Sequence, residues 1–172
     1  MLIRSVFEVP RLFHFTDVRN LPSIREFGGL LSLYELKKNG LQPIAPSGNE
    51  WSHNADRISG MDRFVHLCFW SAHPMEYVAR REGRIGKSCF LEIDPRILRL
   101  DGVKFTREVS NKSGITPKDL AEADQEIDFE VLYSPTNWRD PLIQKRLKLT
   151  QKYEILIPNM VSLSLIRNMP DG

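Results

Sequence analysis

Near the end of the chain, the run Tyr-Glu-Ile-Leu-Ile-Pro at 153–158 sets a carboxylate among strand-forming apolar residues. Side chains alternate across a strand, so Tyr153, Ile155 and Ile157 share one face while Glu154 and Leu156 point to the other. A carboxylate beside a strand core is costly unless it reaches solvent, a cation or a ligand hydroxyl. Glu154 is therefore either a site residue or a solvated glutamate on an edge strand. At the opposite end of the chain, His14 and Thr16 stand two apart in a Leu-Phe-His-Phe-Thr strand. They project to one face, where imidazole and hydroxyl could both hydrogen-bond a ribose; the same pair also suits a purely structural role.

A third group of chemistry-bearing residues falls between Gln42 and about Arg63, a polar stretch with glycine and proline that reads as a long loop. Loops of this length are uncommon in compact domains unless they bind or catalyse, so the segment is either a candidate active-site loop carrying Trp51, Arg57 and Arg63 or simply disordered. Trp51 could stack a base, whereas Trp70, inside an apolar strand, reads as core. His53, His66 and His73 have no metal-ligand spacing with cysteines or acids and read as structural or surface residues. Cys68 and Cys89 lie in apolar, strand-like runs and read as buried thiols, neither disulfide-bonded nor metal-bound. Two basic groups, Arg80, Arg81, Arg84 and Lys87, then Lys145, Arg146 and Lys148, suit solvated faces or a nucleic-acid backbone.

The elements that must position these residues follow from periodicity. After the first strand a helix starts near Asn20, a candidate cap, tolerates Pro22 in its first turn and ends at Gly28-Gly29. A second helix, Ser-Leu-Tyr-Glu-Leu-Lys-Lys, closes on Asn39-Gly40. Residues 64–70 read as a buried strand, 73–83 as a helix starting near Pro74, and 88–93 as a strand ending at Asp94-Pro95. Residues 116–125 open like a helix, and residues 127–133 and 140–149 have helical periodicity. Strands and helices intersperse without a strict βαβ period or a glycine-rich phosphate fingerprint, which predicts an α+β domain and excludes a Rossmann fold.

With 172 residues, the chain fits one domain, residues 1–172, large enough to bury a core. Its 41% apolar and 27% charged residues are those of an ordinary globular protein, and no apolar run approaches the roughly 20 residues that span a bilayer. The N-terminal residues lack the continuous apolar segment of a secretory signal, so a cytoplasmic location is expected, away from membranes. A formal net charge of +2 is too small to mark a nucleic-acid binder by itself.

The segments Phe-His-Phe-Thr-Asp-Val-Arg-Asn-Leu-Pro-Ser-Ile (13–24) and Gly-Gly-Leu-Leu-Ser (28–32) closely resemble the opening motif of the DarT-type DNA ADP-ribosyltransferases. The resemblance continues in order through 57–79, 90–98, 109–114, 127–133 and 151–166, covering nearly the whole chain from Leu12 to Ile166. It implies an ADP-ribosyltransferase-like fold, with two packed, mainly antiparallel sheets, flanking helices and an NAD⁺-binding cleft. It also implies that His14 and Thr16 hold the ribose end of NAD⁺, that Asn20, Leu21 and Ser23 help form the pocket, and that Glu154 is the catalytic glutamate. Arg57 matches the family's active-site arginine, with Arg63 six residues away as the alternative.

In such an enzyme, breaking the nicotinamide glycosidic bond develops positive charge on the ribose, which a preorganised carboxylate stabilises. NAD⁺ is then a co-substrate that brings the activated bond, and no metal is called for. The resemblance implies a toxin or defence enzyme that transfers ADP-ribose to a base, in single-stranded DNA, and a macrodomain antitoxin as partner. The residues alone leave open RNA, protein or water as the acceptor, and a catalytically silent nucleic-acid-binding module.

Overall fold

The alternating segments at the two ends of the first hundred residues pair with each other. β1 (Leu12–Asp17) runs antiparallel to β4 (Ser88–Ile93), with His14 opposite Leu91 and Thr16 opposite Cys89. The computed structural model describes residues 2–46, 50–110 and 112–169, and of residues 50–53 the backbone alone. Between these strands lie α1 (Leu21–Glu26), β2 (Gly29–Leu31), α2 (Leu33–Lys38), α3 (Glu50–Ser59), β3 (Phe64–Leu67) and α4 (Pro74–Arg81). After β4 come β5 (Lys104–Thr106), β6 (Lys118–Asp119), α5 (Leu120–Ala123), α6 (Phe129–Tyr133), α7 (Pro141–Thr150), β7 (Glu154–Pro158) and β8 (Met160–Ser162).

All strand pairs among the described residues are antiparallel, in an α+β arrangement. One sheet has four strands in the order β3-β7-β5-β6; the β1-β4 and β2-β8 pairs form two ribbons beside it. Single bridges, Phe13 to Cys68 and Ile93 to Ile166, tie these units together. β7 is thus a central strand, flanked by β3 and β5, and the edge-strand alternative for Glu154 does not hold. The apolar face of β7 behaves as alternation dictates: Tyr153, Ile155 and Ile157 enter the core, where Tyr153 meets Phe69 and Phe105 edge to face. Tyr153 therefore points away from its neighbour Glu154.

Several expectations need correction. About half of the stretch expected as a loop is α3, ended by Gly60 at φ 76° with Arg57 in its last turn. Its sparse apolar residues hide the helix from periodicity, because Ile58 is exposed and the helix turns Asp56, a charged residue, inward. Asn20 occupies the cap position of α1 but makes no side-chain cap bond. A 3₁₀ turn, Val18–Asn20, precedes the helix and gives Asn20 helical backbone angles, so its amide is aimed elsewhere. The helix expected over 116–125 shrinks to α5, since Lys118 and Asp119 pair with the edge of β5. The chain also adds β8 after β7, reversing through Asn159 at φ 62°.

The freed Asn20 amide donates to Thr16 Oγ1 at 3.2 Å and to the Ala45 carbonyl at 2.8 Å, and accepts from the Ala45 N–H at 3.0 Å. It thereby fastens the segment after α2 to the first strand. Substituting Asn20→Ala would leave both backbone groups of Ala45 unbonded, at an expected cost of about 2 kcal/mol. Urea unfolding of the variant should show this loss; a loss within a few tenths of a kcal/mol would contradict the pinning role.

Candidate active site

Glu154, at the start of the central strand, is only 4% exposed and lines a cavity of about 230 Å³. The cavity lies among β1, α1, β2, α2, α3, β3 and β7. An ionised carboxylate at this depth must have its oxygens occupied. Oε2 accepts the Ser110 N–H at 3.0 Å and lies 3.3 Å from His66 Nδ1. His66 Nδ1 also lies 3.0 Å from Ser110 Oγ, while His66 Nε2 faces the Met61 carbonyl at 3.2 Å. Both ring nitrogens of His66 therefore point at acceptors, the arrangement of an imidazolium that donates from each side.

The electrostatics agree with that geometry. Burial alone would lower the His66 pKa, but the hydrogen bond and charge of Glu154, with the charge of Asp56, raise it to about 9. Burial likewise opposes ionisation of Glu154, yet the hydrogen bond and charge of His66, helped by His73 and Ser110, bring it down to about 2. Glu154 is buried and His66 half-buried, and at neutral pH the two form a hydrogen-bonded ion pair.

His73 approaches the same carboxylate from the start of α4. Its Nδ1 accepts the Met75 N–H at 3.3 Å, so the proton of the neutral ring sits on Nε2, 3.6 Å from Glu154 Oε1. Burial lowers the pKa of His73, and its Nε2 has no hydrogen-bond partner. This is a buried donor aimed at the functional carboxylate. His14 is neutral too: burial takes its pKa down to about 4, and its Nδ1 bonds the His66 carbonyl at 2.9 Å. Nε2 is then left as an acceptor.

Of the residues singled out from sequence, His14, Thr16, Asn20, Ser23 and Glu154 all line this one cavity. Leu21 does not; at 2% exposure its side chain is sealed in the core. Arg57 is exposed on α3 and bonds Asn54 at 3.3 Å, outside the lining. Arg63 is also outside it, stacked over the Tyr34 ring at 4.4 Å. No lysine or arginine lines the cavity among the described residues. The side chains of Trp51 and His53 lie outside the described residues.

The reading of His66 and His73 as structural or surface residues requires correction, since both face Glu154. Ser110 and Asp56 were not singled out for chemistry at all. His66 shares the alternation phase of Phe64 in β3, but only the pairing of β3 with β7 brings it to Glu154. Ser110 offers no signal, because its part is played by a backbone N–H.

The His66–Glu154 pair has a measurable consequence. Folded His66 holds its proton more tightly than the unfolded chain, so its stabilising contribution is complete below about pH 6.5 and disappears as pH climbs through about 9. Glu154, with its pKa depressed, contributes above about pH 4.5 and loses that contribution as pH falls toward about 2. The urea midpoint of the native protein should fall between about pH 6.5 and 9, and this fall should be largely absent in His66→Asn. An equal fall in both proteins would contradict the ion pair.

With the site in place, comparison with known proteins identifies its class. The sequence model described as "DarT: ssDNA thymidine ADP-ribosyltransferase, DarT" matches residues 13–169. Among solved structures, the chain is similar to the Thermus sp. 2.9 DarT in complex with ADP-ribosylated ssDNA, at a TM-score of 0.66 and 19% identity, over 92% of this chain and 79% of that one. The same Thermus protein in complex with NAD⁺ gives 0.61 and 18%, over 93% and 80%. Thermosipho africanus DarTG in complex with ADP-ribose gives 0.60 and 18%, over 91% of this chain and 42% of that one. These structural likenesses establish the fold, and no curated protein matches the sequence. The class is that of NAD⁺-using ADP-ribosyltransferases. The chain belongs to the DarT family of single-stranded-DNA thymidine ADP-ribosyltransferases.

Among the described residues no helix is long and apolar enough to cross a membrane. Nor is any group of three or more His, Cys, Asp or Glu arranged to hold a metal ion.

Proposed function

We propose that the cavity holds the nicotinamide riboside half of NAD⁺, with Glu154 as the catalytic residue for transfer of ADP-ribose to thymidine in single-stranded DNA. The observation that carries this reading is an ionised carboxylate, one oxygen held by Ser110 and His66, in the same cavity as His14 and Thr16. The donor set suits a dinucleotide. It offers a neutral imidazole acceptor on His14, a hydroxyl on Thr16, an unpartnered N–H on His73 and apolar walls from Ile24, Phe27 and Leu30.

NAD⁺ supplies a glycosidic bond already activated by the cationic nicotinamide ring. The protein's own residues do the rest. His14 accepts a hydrogen bond from a ribose hydroxyl, and Thr16, with its oxygen already accepting from Asn20, donates its O–H to another oxygen. Glu154 places a fixed negative charge where positive charge develops as the bond lengthens. His66 and Ser110 are positioning residues: they hold one carboxylate oxygen, leaving Oε1 turned toward His73 and the cavity. Because this environment is built on folding, no reorganisation is needed at the moment of reaction.

Among the described residues no lysine or arginine lines the cavity to neutralise the pyrophosphate, and the His66 imidazolium is held by Glu154. Arg57 supplies charge for the pyrophosphate in this reading: it is next in sequence to Asp56, which lines the cavity, and among the described residues its guanidinium bonds Asn54. The partner that reverses the modification is a macrodomain antitoxin, in keeping with the Thermosipho DarTG match. Incubation with NAD⁺ and single-stranded oligonucleotides, followed by mass spectrometry, tests the reaction. One ADP-ribose should appear on oligonucleotides that contain thymidine and none on those without it. Label on protein or RNA alone would overturn the assignment.

A further inference from the structure

A half-buried carboxylate, Asp56, shares the cavity with Glu154. Asp56 turns inward from α3 and lines the cavity with Glu154, and its Oδ1 is enclosed without a hydrogen-bond partner. A polar atom left unsatisfied at such a place is costly to the fold and calls for an occupant that completes it. Glu154 is unsuited to receive a proton, since Ser110 N–H and His66 occupy Oε2 and favour its charged form. Two carboxylates in one cavity with opposed environments divide charge stabilisation from proton transfer.

We infer that Asp56 is the catalytic base for this transfer, taking the ring N–H proton of the thymine acceptor. The inference rests on the reading of Glu154 given above and deepens it. Thymine has a single ring N–H, and that proton must leave when the ring becomes glycosylated without gaining charge. The proton passes to an Asp56 carboxylate oxygen. The ring's freed electron pair forms the new bond to the ribose anomeric carbon. The bond from that carbon to nicotinamide breaks, and its electron pair neutralises the pyridinium ring. Asp56 then releases the proton to solvent, so no other reactant is consumed.

The groups facing Asp56 set its readiness. Burial pushes its pKa up, His66 on β3 opposes this, and Glu154 on β7 and Asp62 beyond α3 add to it, leaving the group at about 6. At neutral pH it is ionised yet still basic enough to hold a proton in passing. Asp62 also lines the cavity and is the competing carboxylate.

The test compares native protein, Asp56→Asn, Asp62→Asn and Glu154→Gln in single-turnover transfer from NAD⁺ to a thymidine oligonucleotide across pH. Native transfer should fall below about pH 6 and level off above it. Asp56→Asn should be slower by roughly 100-fold or more at neutral pH, with NAD⁺ affinity no lower than native. Its rate should then rise with hydroxide concentration until the base ionises in solution, so that alkali rescues the variant. A merely structural role would give a loss independent of pH. Among the described residues no hydrogen bond is made to the Asp56 carboxylate, so the asparagine variant should fold; if it does not bind NAD⁺, the native pH profile decides. A native profile flat through pH 6, a pH-independent loss in Asp56→Asn, or the alkali-rescued defect in Asp62→Asn instead would overturn the assignment. Failure of the Glu154 reading is separate: it shows as full activity in Glu154→Gln, whatever Asp56 does.

Discussion

Glu154→Gln should lower the rate constant for ADP-ribose transfer by roughly 10²- to 10³-fold, with the NAD⁺ dissociation constant changed only a few-fold. Glutamine matches glutamate in size, and its amide oxygen can still accept the Ser110 N–H, so the shape of the cavity survives. What disappears is the charge. In the proposed reading that charge acts on a ribose that is cationic in the transition state and less so in the bound dinucleotide, so the loss should fall on kcat. His66 would respond as well. Without the carboxylate that raises its pKa, burial would favour the neutral ring, and the alkaline loss of stability should vanish with it. Single-turnover rates and NAD⁺ titration on the same preparation check both halves of the expectation. A rate within tenfold of native would remove Glu154 from the centre of the chemistry.

The second large effect falls on the fold beneath the site. Gly29 begins β2 at φ 150°, and a Cβ built there would lie 2.1 Å from the Val161 carbonyl oxygen on β8. Nothing flexible can yield, because the obstacle is the backbone of the strand that pairs with β2. Gly29→Ala must therefore break the β2-β8 pairing or move both strands, at an expected cost of about 3 kcal/mol or more. Gly29, Leu30 and Leu31 line the cavity, so NAD⁺ binding should weaken alongside stability. Gly28→Ala is the useful contrast: it shares a positive φ, 76°, but its Cβ would meet nothing within 4 Å. Its cost should be about 1 kcal/mol from backbone conformation alone. Equal thermal shifts in the two variants would refute the steric account.

The parts of this molecule legible in its sequence are those governed by local rules. Alternation in residues 153–158 separated Glu154 from the core-facing Tyr153, Ile155 and Ile157, and it placed His14 and Thr16 on one face. The Gly28-Gly29 stop was also readable: α1 ends at Glu26, ahead of Gly28 at φ 76°. What stayed hidden depends on long-range pairing. Nothing local shows that β3 lies against β7, so His66 read as an ordinary strand histidine and not as the partner of Glu154. His73 was visible as the residue before Pro74, yet only the tertiary structure turns its other nitrogen toward the carboxylate. α3 escaped because its inward face carries Asp56, a charged residue, where periodicity seeks an apolar one. The short strands β2, β5 and β8 are each three residues long, too brief for alternation to declare itself.

The most direct test is a crystal structure of the protein with NAD⁺ bound. The account predicts the nicotinamide ribose in the cavity, a hydroxyl of it within hydrogen-bonding distance of the Glu154 carboxylate, and His14 and Thr16 contacting the same half of the dinucleotide. A dinucleotide seated elsewhere on the protein, with Glu154 still enclosed by His66, Ser110 and His73 and touching no ligand atom, would contradict it.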